Sequence, residues 1–558
     1  MREREPIASE NRDILRAMNS NFRTINISED SKISEILSAF IESKTDLILI
    51  DEKSVFSQPH LELLTDYPRT STTALIAPLY EGEIRATGGR VVGASSAFHT
   101  AGGGNSTFVG VLRLSQNQRE DVIKSLTAAS KSDITGNALD LILVALVRAG
   151  VFVATAEVSF APYIRSKDPQ AREKIKAEIE SLNEPRLRLK MANRANDGFY
   201  SVFVLRKFSK LFTWAAVRLR VTPNQITLIS FGIGLLSAYA FSRGDFWSIF
   251  AGALLLQLSI IVDCVDGELA RYTRKFSQLG AWLDAITDRI KEYLVFFGLA
   301  YGAARDGRDL WIPAMAMMLF QAVRHLSDYN FARMNKLRST KLPIIDFQFA
   351  SDGFVPLKKA KKSRVQYWAK KAIQFPIGER WLVISASSVI GGAAFTFTIM
   401  PILAVISIVL VFRGRIRVTR SWAKERVNKE LVDNQLDFFK SVQSNNRFDW
   451  LTPSILRAFE GAVIIGLTAI ADLNRPAAFL LLFAIIYGHY DNLYRALQGE
   501  RKPRWLSSAG VFILGRLATI AIFIALSWSI TPLVWYFSAL FLVVSSIQWV
   551  TSQKLRIV

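Results

Sequence analysis

The sequence predicts an α-helical polytopic membrane protein, with a six-helix core, about four further spans and a soluble α/β domain at the N-terminus. Three observations carry this reading. From about residue 222 onward, apolar runs of membrane-spanning length alternate with short basic segments. Before about residue 185, short apolar strand-like runs alternate with segments of helical spacing. Half of the residues are hydrophobic, although the formal net charge is +21. That pairing suits either a nucleic-acid binder or a membrane protein with basic loops. The clustering of the apolar residues into long runs selects the second and argues against nucleic acid as a partner.

A chain of 558 residues is too long for one core, so two to four modules are expected. The single cysteine, Cys264, excludes an intrachain disulfide and a cysteine-rich metal site. The four histidines, His60, His99, His325 and His489, are scattered, which argues against zinc. The opening stretch MREREPIASENRD is charged and lacks an apolar core, so it does not read as a signal peptide. The first module is therefore expected on the side where it is made.

Residues 1–185 predict the α/β domain. ISEILSAFIES (33–43) has helical apolar spacing, and DLILIDE (46–52) reads as a buried strand ending in acids. Further strands are expected at 73–79, 89–95, 106–114 and 151–158, with a helix at 138–150. This alternation predicts a mostly parallel sheet. A basic linker at 186–221 follows. Its stretch from Gly198 to Leu219 mixes Phe, Trp and Val with Arg206, Lys207, Lys210 and Arg218, the pattern of a helix lying on a membrane surface.

Spans are expected at 224–242, 246–268, 282–304, 309–328, 381–395 and 397–413, within a membrane domain covering 222–415. A second set at 452–471, 475–496, 509–528 and 531–549 falls in a C-terminal membrane domain, 430–558. With ten spans, the basic segments 271–275, 333–380, 413–420, 495–504 and the tail all fall on one side. The positive-inside rule makes that side cytoplasmic, together with the N-terminal domain.

The chemistry is concentrated in residues 263–288, DCVDGELARYTRKFSQLGAWLDAITD. Asp263, Asp266 and Ala270 share one face at the end of the second span, and Asp284 and Asp288 share one at the start of the third. A short turn brings the two helices together, so the four carboxylates meet near the cytoplasmic interface. Each like-charge pair at ~4 Å repels by about 4 kcal/mol at an effective dielectric near 20. A divalent cation relieves this, and an all-oxygen ligand set favours Mg²⁺, Mn²⁺ or Ca²⁺ over zinc. Two such ions bridged by carboxylates would clamp a phosphoryl group. Gly267 would admit a phosphate close to the backbone, and Arg271 could pair with it. A cation-transporting path would also use buried acids, but it has no need of Gly267, Ala270 and Arg271.

Here the chain resembles the CDP-alcohol phosphotransferases, whose signature is D-x2-D-G-x2-A-R-x8-G-x3-D-x3-D. Asp263, Asp266, Gly267, Ala270, Arg271, Gly280, Asp284 and Asp288 match it at every fixed position. TPNQIT (222–227) is similar to the family's entry to its first span, and GERW (378–381) is similar to other members. The resemblance covers roughly residues 190–415. It implies transfer of a substituted phosphate from a CDP-alcohol, such as CDP-diacylglycerol or a CDP-polyol, to an acceptor alcohol with release of CMP, in phospholipid or related phosphodiester synthesis. It also implies two Mg²⁺ or Mn²⁺ ions held by Asp263, Asp266, Asp284 and Asp288, with Asp288 as the catalytic base. Asn224, Thr227, Asp263, Asp266, Gly267, Ala270, Arg271 and Gly280 would surround the CDP part. Arg289, Lys291, Arg324 and Arg333 are the acceptor candidates, because intramembrane cations suit an inositol or glycerol phosphate. Membrane lipids, a homodimer and a bacterial inner-membrane location complete the expectation.

The N-terminal domain resembles a degenerate sugar-phosphate nucleotidyltransferase, as in bifunctional inositol-phosphate cytidylyltransferase fusions. DLILIDE is similar to the strand bearing a metal-binding Asp there, and GGRVVGASSAFH (88–99) to a later segment, but the glycine-rich loop expected before Ser31 is missing. A domain without independent catalysis is therefore expected, against the alternative of a bifunctional enzyme that also makes the CDP-alcohol. At the other end, HYDNLYR (489–495) resembles a C-terminal extension of unknown function.

Overall fold

A computed structural model describes residues 22–65, 71–79, 82–87, 89–96, 103–132, 136–192, 198–337, 364–421, 448–497 and 500–554. The chain divides into two compact units, one within residues 1–192 and the other within 193–338 and 362–558.

The first unit is the expected α/β domain. Its main strands are β1 (Phe22–Ile27), β2 (Asp46–Asp51), β4 (Thr73–Pro78), β5 (Ile84–Thr87), β6 (Arg90–Ala94), β7 (Ser106–Leu114) and β8 (Ala154–Glu157), in the order β1-β2-β7-β4-β8-β6-β5. A short pair, β3 (Ser54–Val55) and β9 (Ile164–Arg165), stands apart. The sheet is mixed, which corrects the expected mostly parallel one. Only β1–β2 and β4–β8 run parallel; β7 enters antiparallel between β2 and β4, and β6 pairs antiparallel with β5 and β8. A strand buried on both faces reads the same in either direction, so an apolar run cannot reveal its sense. Burial on both faces is evident in β2, where Leu47 and Leu49 join one apolar cluster and Ile48 and Ile50 another. Flanking helices are α1 (Ile33–Glu42), α2 (Gln58–Glu62), α3 (Arg119–Ser130) and α4 (Ala138–Arg148), followed by the polar helices α5 (Pro169–Glu180) and α6 (Glu184–Met191).

The second unit is helical. Its entry helix, α7 (Arg206–Arg218), follows a π-helical turn at Ser201–Leu205. Phe203, Phe208, Leu211, Phe212 and Trp214 are exposed, whereas Ser209 and Thr213 are fully buried. An apolar outer face with polar residues turned inward fits a helix bedded in a membrane surface. Arg206 departs from the expected basic face: it reaches inward to Glu268.

The core helices are α8 (Pro223–Arg243), α9 (Phe246–Thr273), α10 (Gln278–Arg305) and α11 (Trp311–Leu337). Then come α12 (Arg364–Ile373), α13 (Ile377–Ser421), α14 (Thr452–Ile470), α15 (Arg475–Leu497), α16 (Arg504–Ala509), α17 (Ile513–Ala525), α18 (Thr531–Ser538) and α19 (Ser545–Lys554). Thr222 and Gln225 form a reciprocal cap with Pro223 in the first turn, so TPNQIT starts α8 for ordinary helix-capping reasons.

Six described helical segments are long and apolar enough to cross a membrane: 223–243, 246–273, 377–420, 449–470, 504–525 and 531–553. The protein is thus a multi-pass membrane protein. The expected spans 381–395 and 397–413 lie in one helical run that breaks at Gly391 and Gly392, the latter with φ +70°. Those expected at 282–304, 309–328 and 475–496 correspond to α10, α11 and α15, which carry more ionisable residues. α15 is buried almost throughout from Ala478 to Arg495, so its charges face protein rather than lipid.

Candidate active site

The two signature helices meet where the spacing places them. α9 ends at Thr273, Arg274 adopts a left-handed conformation (φ +57°), and Ser277 caps α10 by accepting from Gly280 N. This short reversal sets the last turns of α9 against the first turns of α10. Oxygens of Asp263, Asp284 and Asp288 lie within 4.8 Å of one another. Asp266 is nearly buried and accepts a 2.6 Å hydrogen bond from Thr227 Oγ1 at the start of α8.

Lys291 occupies an unexpected place. Its ammonium is fully buried, 2.6 Å from Asp263 Oδ1, 3.1 Å from Asp288 Oδ1 and 2.9 Å from Ser230 Oγ. It stands as an internal counter-ion of Asp263 and Asp288. Room for its stem comes from Gly234, where a Cβ would stand 2.6 Å from Lys291 Cγ. Ser230 also lies 3.2 Å from Asp263 Oδ1, so α8 lines the same space.

The donor set fits a hard divalent cation. Three carboxylate oxygens converge, and the buried Asp288 Oδ1 has no hydrogen-bond partner among the described residues despite its ion-pair distance to Lys291.

The proposed nucleotide side gathers at the same end. A Cβ on Gly280 would meet Asn224 Oδ1 at 2.7 Å and Ser277 Oγ at 2.9 Å, so the start of α8 packs against that of α10. Arg271 folds back over Gly267, with Nη1 3.1 Å from where a Cβ would stand. Ala270 is partly exposed one turn after Asp266.

The other acceptor candidates diverge. Arg289 pairs with Glu292 at 3.3 Å. Arg324 is nearly buried and donates to the Gln374 carbonyl. Arg333 lies in α11, but its side chain is outside the described residues.

Sequence reasoning missed the braces around the site. Glu268 takes Arg206, Ser209 and Thr213 at 2.6–2.7 Å, which pins α7 to α9. Glu292, one turn beyond Asp288, takes both ends of the Arg380 guanidinium at 2.8 and 3.0 Å. The Arg of GERW was a signal for the second; nothing in the spacing marked the first.

In the α/β unit, Asp51 ends β2 as expected, but its carboxylate is enclosed. It accepts from Arg165 Nε at 2.8 Å, Asn137 Nδ2 at 3.2 Å and Lys53 N at 2.9 Å. Gly110 (φ +86°) leaves room for this pair, since a Cβ there would lie 3.0 Å from both Arg165 Nε and Asp51 Cβ. Burial opposes the Arg165 charge, but hydrogen bonds and charge attraction from Asp140 and Asp51 outweigh it and hold its pKa above the ordinary value. Ser96 ends the described part of the GGRVVGASSAFH segment, and Phe98 and His99 lie outside the described residues.

Comparison with known proteins agrees with this site. Residues 220–355 match the family model described as CDP-alcohol phosphatidyltransferase, and residues 442–557 match a family of unknown function (DUF5941). The chain is 42% identical over 146 residues to the "Bifunctional IPC transferase and DIPP synthase" of Archaeoglobus fulgidus, covering 26% of this chain and 29% of that protein. It is 42% identical over 84 residues to the "Archaetidylinositol phosphate synthase" of Pyrococcus horikoshii, covering 15% of this chain and 43% of that one. It is 35% identical over 103 residues to the "Phosphatidylinositol phosphate synthase" of Cutibacterium acnes, covering 18% and 48%. The chain thus spans less than half the length of each of these relatives. Among solved structures it is similar to the inositol-1-phosphate CTP transferase from T. maritima, with 14% identity, a TM-score of 0.21, and coverage of 27% of this chain and 64% of that one. The matched segment up to residue 337 lies in the helical unit and includes the carboxylate cluster.

Proposed function

We propose that the protein is a metal-dependent CDP-alcohol phosphotransferase of the membrane, which joins a CDP-alcohol to a phosphorylated polyol and releases CMP. The observation that carries this reading is the convergence of Asp263, Asp284 and Asp288 from two helices whose sequence matches the full signature. Inositol phosphate is the favoured acceptor, because the similar proteins named above act in inositol-phosphate lipid synthesis by name. A lipid CDP-alcohol such as CDP-diacylglycerol is the favoured donor, since the site lies among spanning helices at the end of α9. We place the protein in a bacterial inner membrane with the site and the α/β unit on the cytoplasmic face, following the basic loops.

In the reaction, the acceptor hydroxyl oxygen attacks the β-phosphorus of the donor, and the bond from that phosphorus to the bridging oxygen breaks. CMP leaves with the bond's electrons. Asp288 takes the hydroxyl proton as the general base. A bound Mg²⁺ or Mn²⁺ would offset the charge on the diphosphate. Asp263, Asp284 and Asp288 would hold it, and we propose Asp266 as a further ligand. Thr227 orients Asp266, and Lys291 lies between Asp263 and Asp288 as their counter-ion. Arg271 and Gly267 lie where the diphosphate of the nucleotide would pass.

The test is purified protein in lipid, given CDP-diacylglycerol and a panel of acceptors including inositol phosphate and glycerol phosphate. CMP and a new phosphodiester lipid are expected with Mg²⁺. CMP-free incubation with every acceptor overturns the reading.

A further inference from the structure

The C-terminal helices have no assigned role, yet α15 lies directly against the helix that supplies Asp284 and Asp288. An α-helix advances about 100° per residue, so Asp284, Asp288 and Lys291 share one side of α10. Trp282, Arg289 and Tyr293 fall on roughly the opposite side. Each of these three meets the HYDNLYR segment. Trp282 Nε1 donates to Asp491 Oδ1 at 3.1 Å. The Tyr293 and Tyr490 hydroxyls are 3.0 Å apart, and Tyr490 also meets His325 Nδ1 of α11 at 2.9 Å. Tyr494, stacked on Tyr490, lies beside Arg289.

The receiving side is rigid. Asp491 is fully buried and bonded by Arg495 at 2.9 Å, Lys502 at 2.9 Å and Ser545 at 2.5 Å. Arg495 in turn donates to Gln548 and to the Ser545 carbonyl. A carboxylate fixed by three partners on its own helices offers Trp282 an acceptor that cannot swing away. Every bond in the chain Trp282–Asp491–Ser545 is buried, where loss of one partner leaves the other unsatisfied.

We propose that the C-terminal helical domain is a positioning scaffold for the catalytic helix. On this view Asp491 and Tyr490, acting through Trp282 and Tyr293, set the rotation and depth of α10 and so the spacing of Asp284 and Asp288 from Asp263. The proposal rests on the carboxylate cluster being a metal site, as in the function proposed above. Asp491 and Tyr490 are positioning residues: neither touches the reacting groups.

The experiment measures Mn²⁺ binding by electron paramagnetic resonance on full-length protein in detergent, without substrate. Trp282→Phe keeps the ring and removes the donated bond; Tyr490→Phe removes only a hydroxyl. Trp282→Phe is expected to weaken Mn²⁺ binding by about fivefold, the worth of one buried hydrogen bond, and Tyr490→Phe, which removes the bonds to both Tyr293 and His325, by at least as much. Both should lower the rate of CMP release while leaving the acceptor KM near wild type. Mn²⁺ affinity unchanged in both variants overturns the scaffold. If Trp282→Phe does not fold, Tyr490→Phe decides alone, in the same two directions. Wild-type protein that binds no Mn²⁺ would instead defeat the metal site itself, so the two failures are distinct.

Discussion

Replacing Lys291 by Met separates its two readings, counter-ion and acceptor ligand. Met has similar length and no charge, so the variant removes the ammonium from between Asp263 and Asp288 with little change of volume. Lys291 is fully buried, and the two carboxylates retain 15% side-chain exposure. Removing one partner of a buried ion pair costs about 3–5 kcal/mol. Residual solvent at the carboxylates places this case at the lower end, about 3 kcal/mol. A divalent cation can take over the lost role. Ligand at about 100 times its dissociation constant returns about 2.7 kcal/mol, which nearly closes the gap. The assay is thermal unfolding followed by tryptophan fluorescence, in EDTA and in saturating Mn²⁺. Lys291→Met should melt well below wild type in EDTA, and in Mn²⁺ should approach the melting temperature of metal-free wild type. A variant that melts like wild type in EDTA, and shows only a raised acceptor KM, refutes the counter-ion argument and restores Lys291 as an acceptor ligand.

Asp288→Asn should bind CDP-alcohol nearly normally by calorimetry yet lose about 10²–10⁴-fold in rate, the usual worth of a general base; Asp266→Asn should weaken nucleotide binding itself, and normal turnover by Asp288→Asn rules out the base assignment. Gly234→Ala puts a methyl group 2.6 Å from Lys291 Cγ and should cost about 1–3 kcal/mol of stability. Gly232→Ala, with nothing within 4 Å, is the control and should melt like wild type. Full-length protein given CTP and sugar or polyol phosphates should release no pyrophosphate, because Asp51 is enclosed by Arg165; pyrophosphate that disappears in Asp51→Asn contradicts this.

How much of the protein was legible in the sequence depends on whether the information is local. The meeting of Asp263, Asp284 and Asp288 rests on helical period, a short reversal and the reluctance of carboxylates to crowd without a cation, and all three lie within one stretch of chain. The π-helical entry and inward turn of Arg206 could not be read that way. Arg206 and Glu268 stand 62 positions apart, and no period relates them. The same holds for Glu292 with Arg380 and for Trp282 with Asp491. Lys291 was read as an acceptor candidate, and its ion pairs with Asp263 and Asp288 add a second reading, because an intramembrane cation next to a catalytic acid serves equally well as substrate ligand or internal counter-ion. In the α/β unit, strands β2, β4 and β7 were legible from apolar runs, but their senses were not, and β1 was too mixed and β5 too short to stand out.

The two units also show why a carboxylate beside a cation does not by itself mark a working metal site. Asp51 and Asp263 each lie 2.6–2.8 Å from a buried or half-buried cation. What differs is what remains unsatisfied. Both oxygens of Asp51 are taken, by Lys53 N on one side and by Asn137 and Arg165 on the other, and the carboxylate is 1% exposed. Arg165 is itself held by Asp140, so the guanidinium cannot leave without breaking a second ion pair. A planar guanidinium held at two carboxylates neutralises this pair without a metal ion. Lys291 is a single ammonium on a flexible stem facing two carboxylates of the three that converge. One positive charge cannot balance three negative ones, so this cluster still favours a divalent cation after Lys291 is counted. The surplus of negative charge, rather than the presence of acids, is what distinguishes the site in the helical unit from the closed one in the α/β unit.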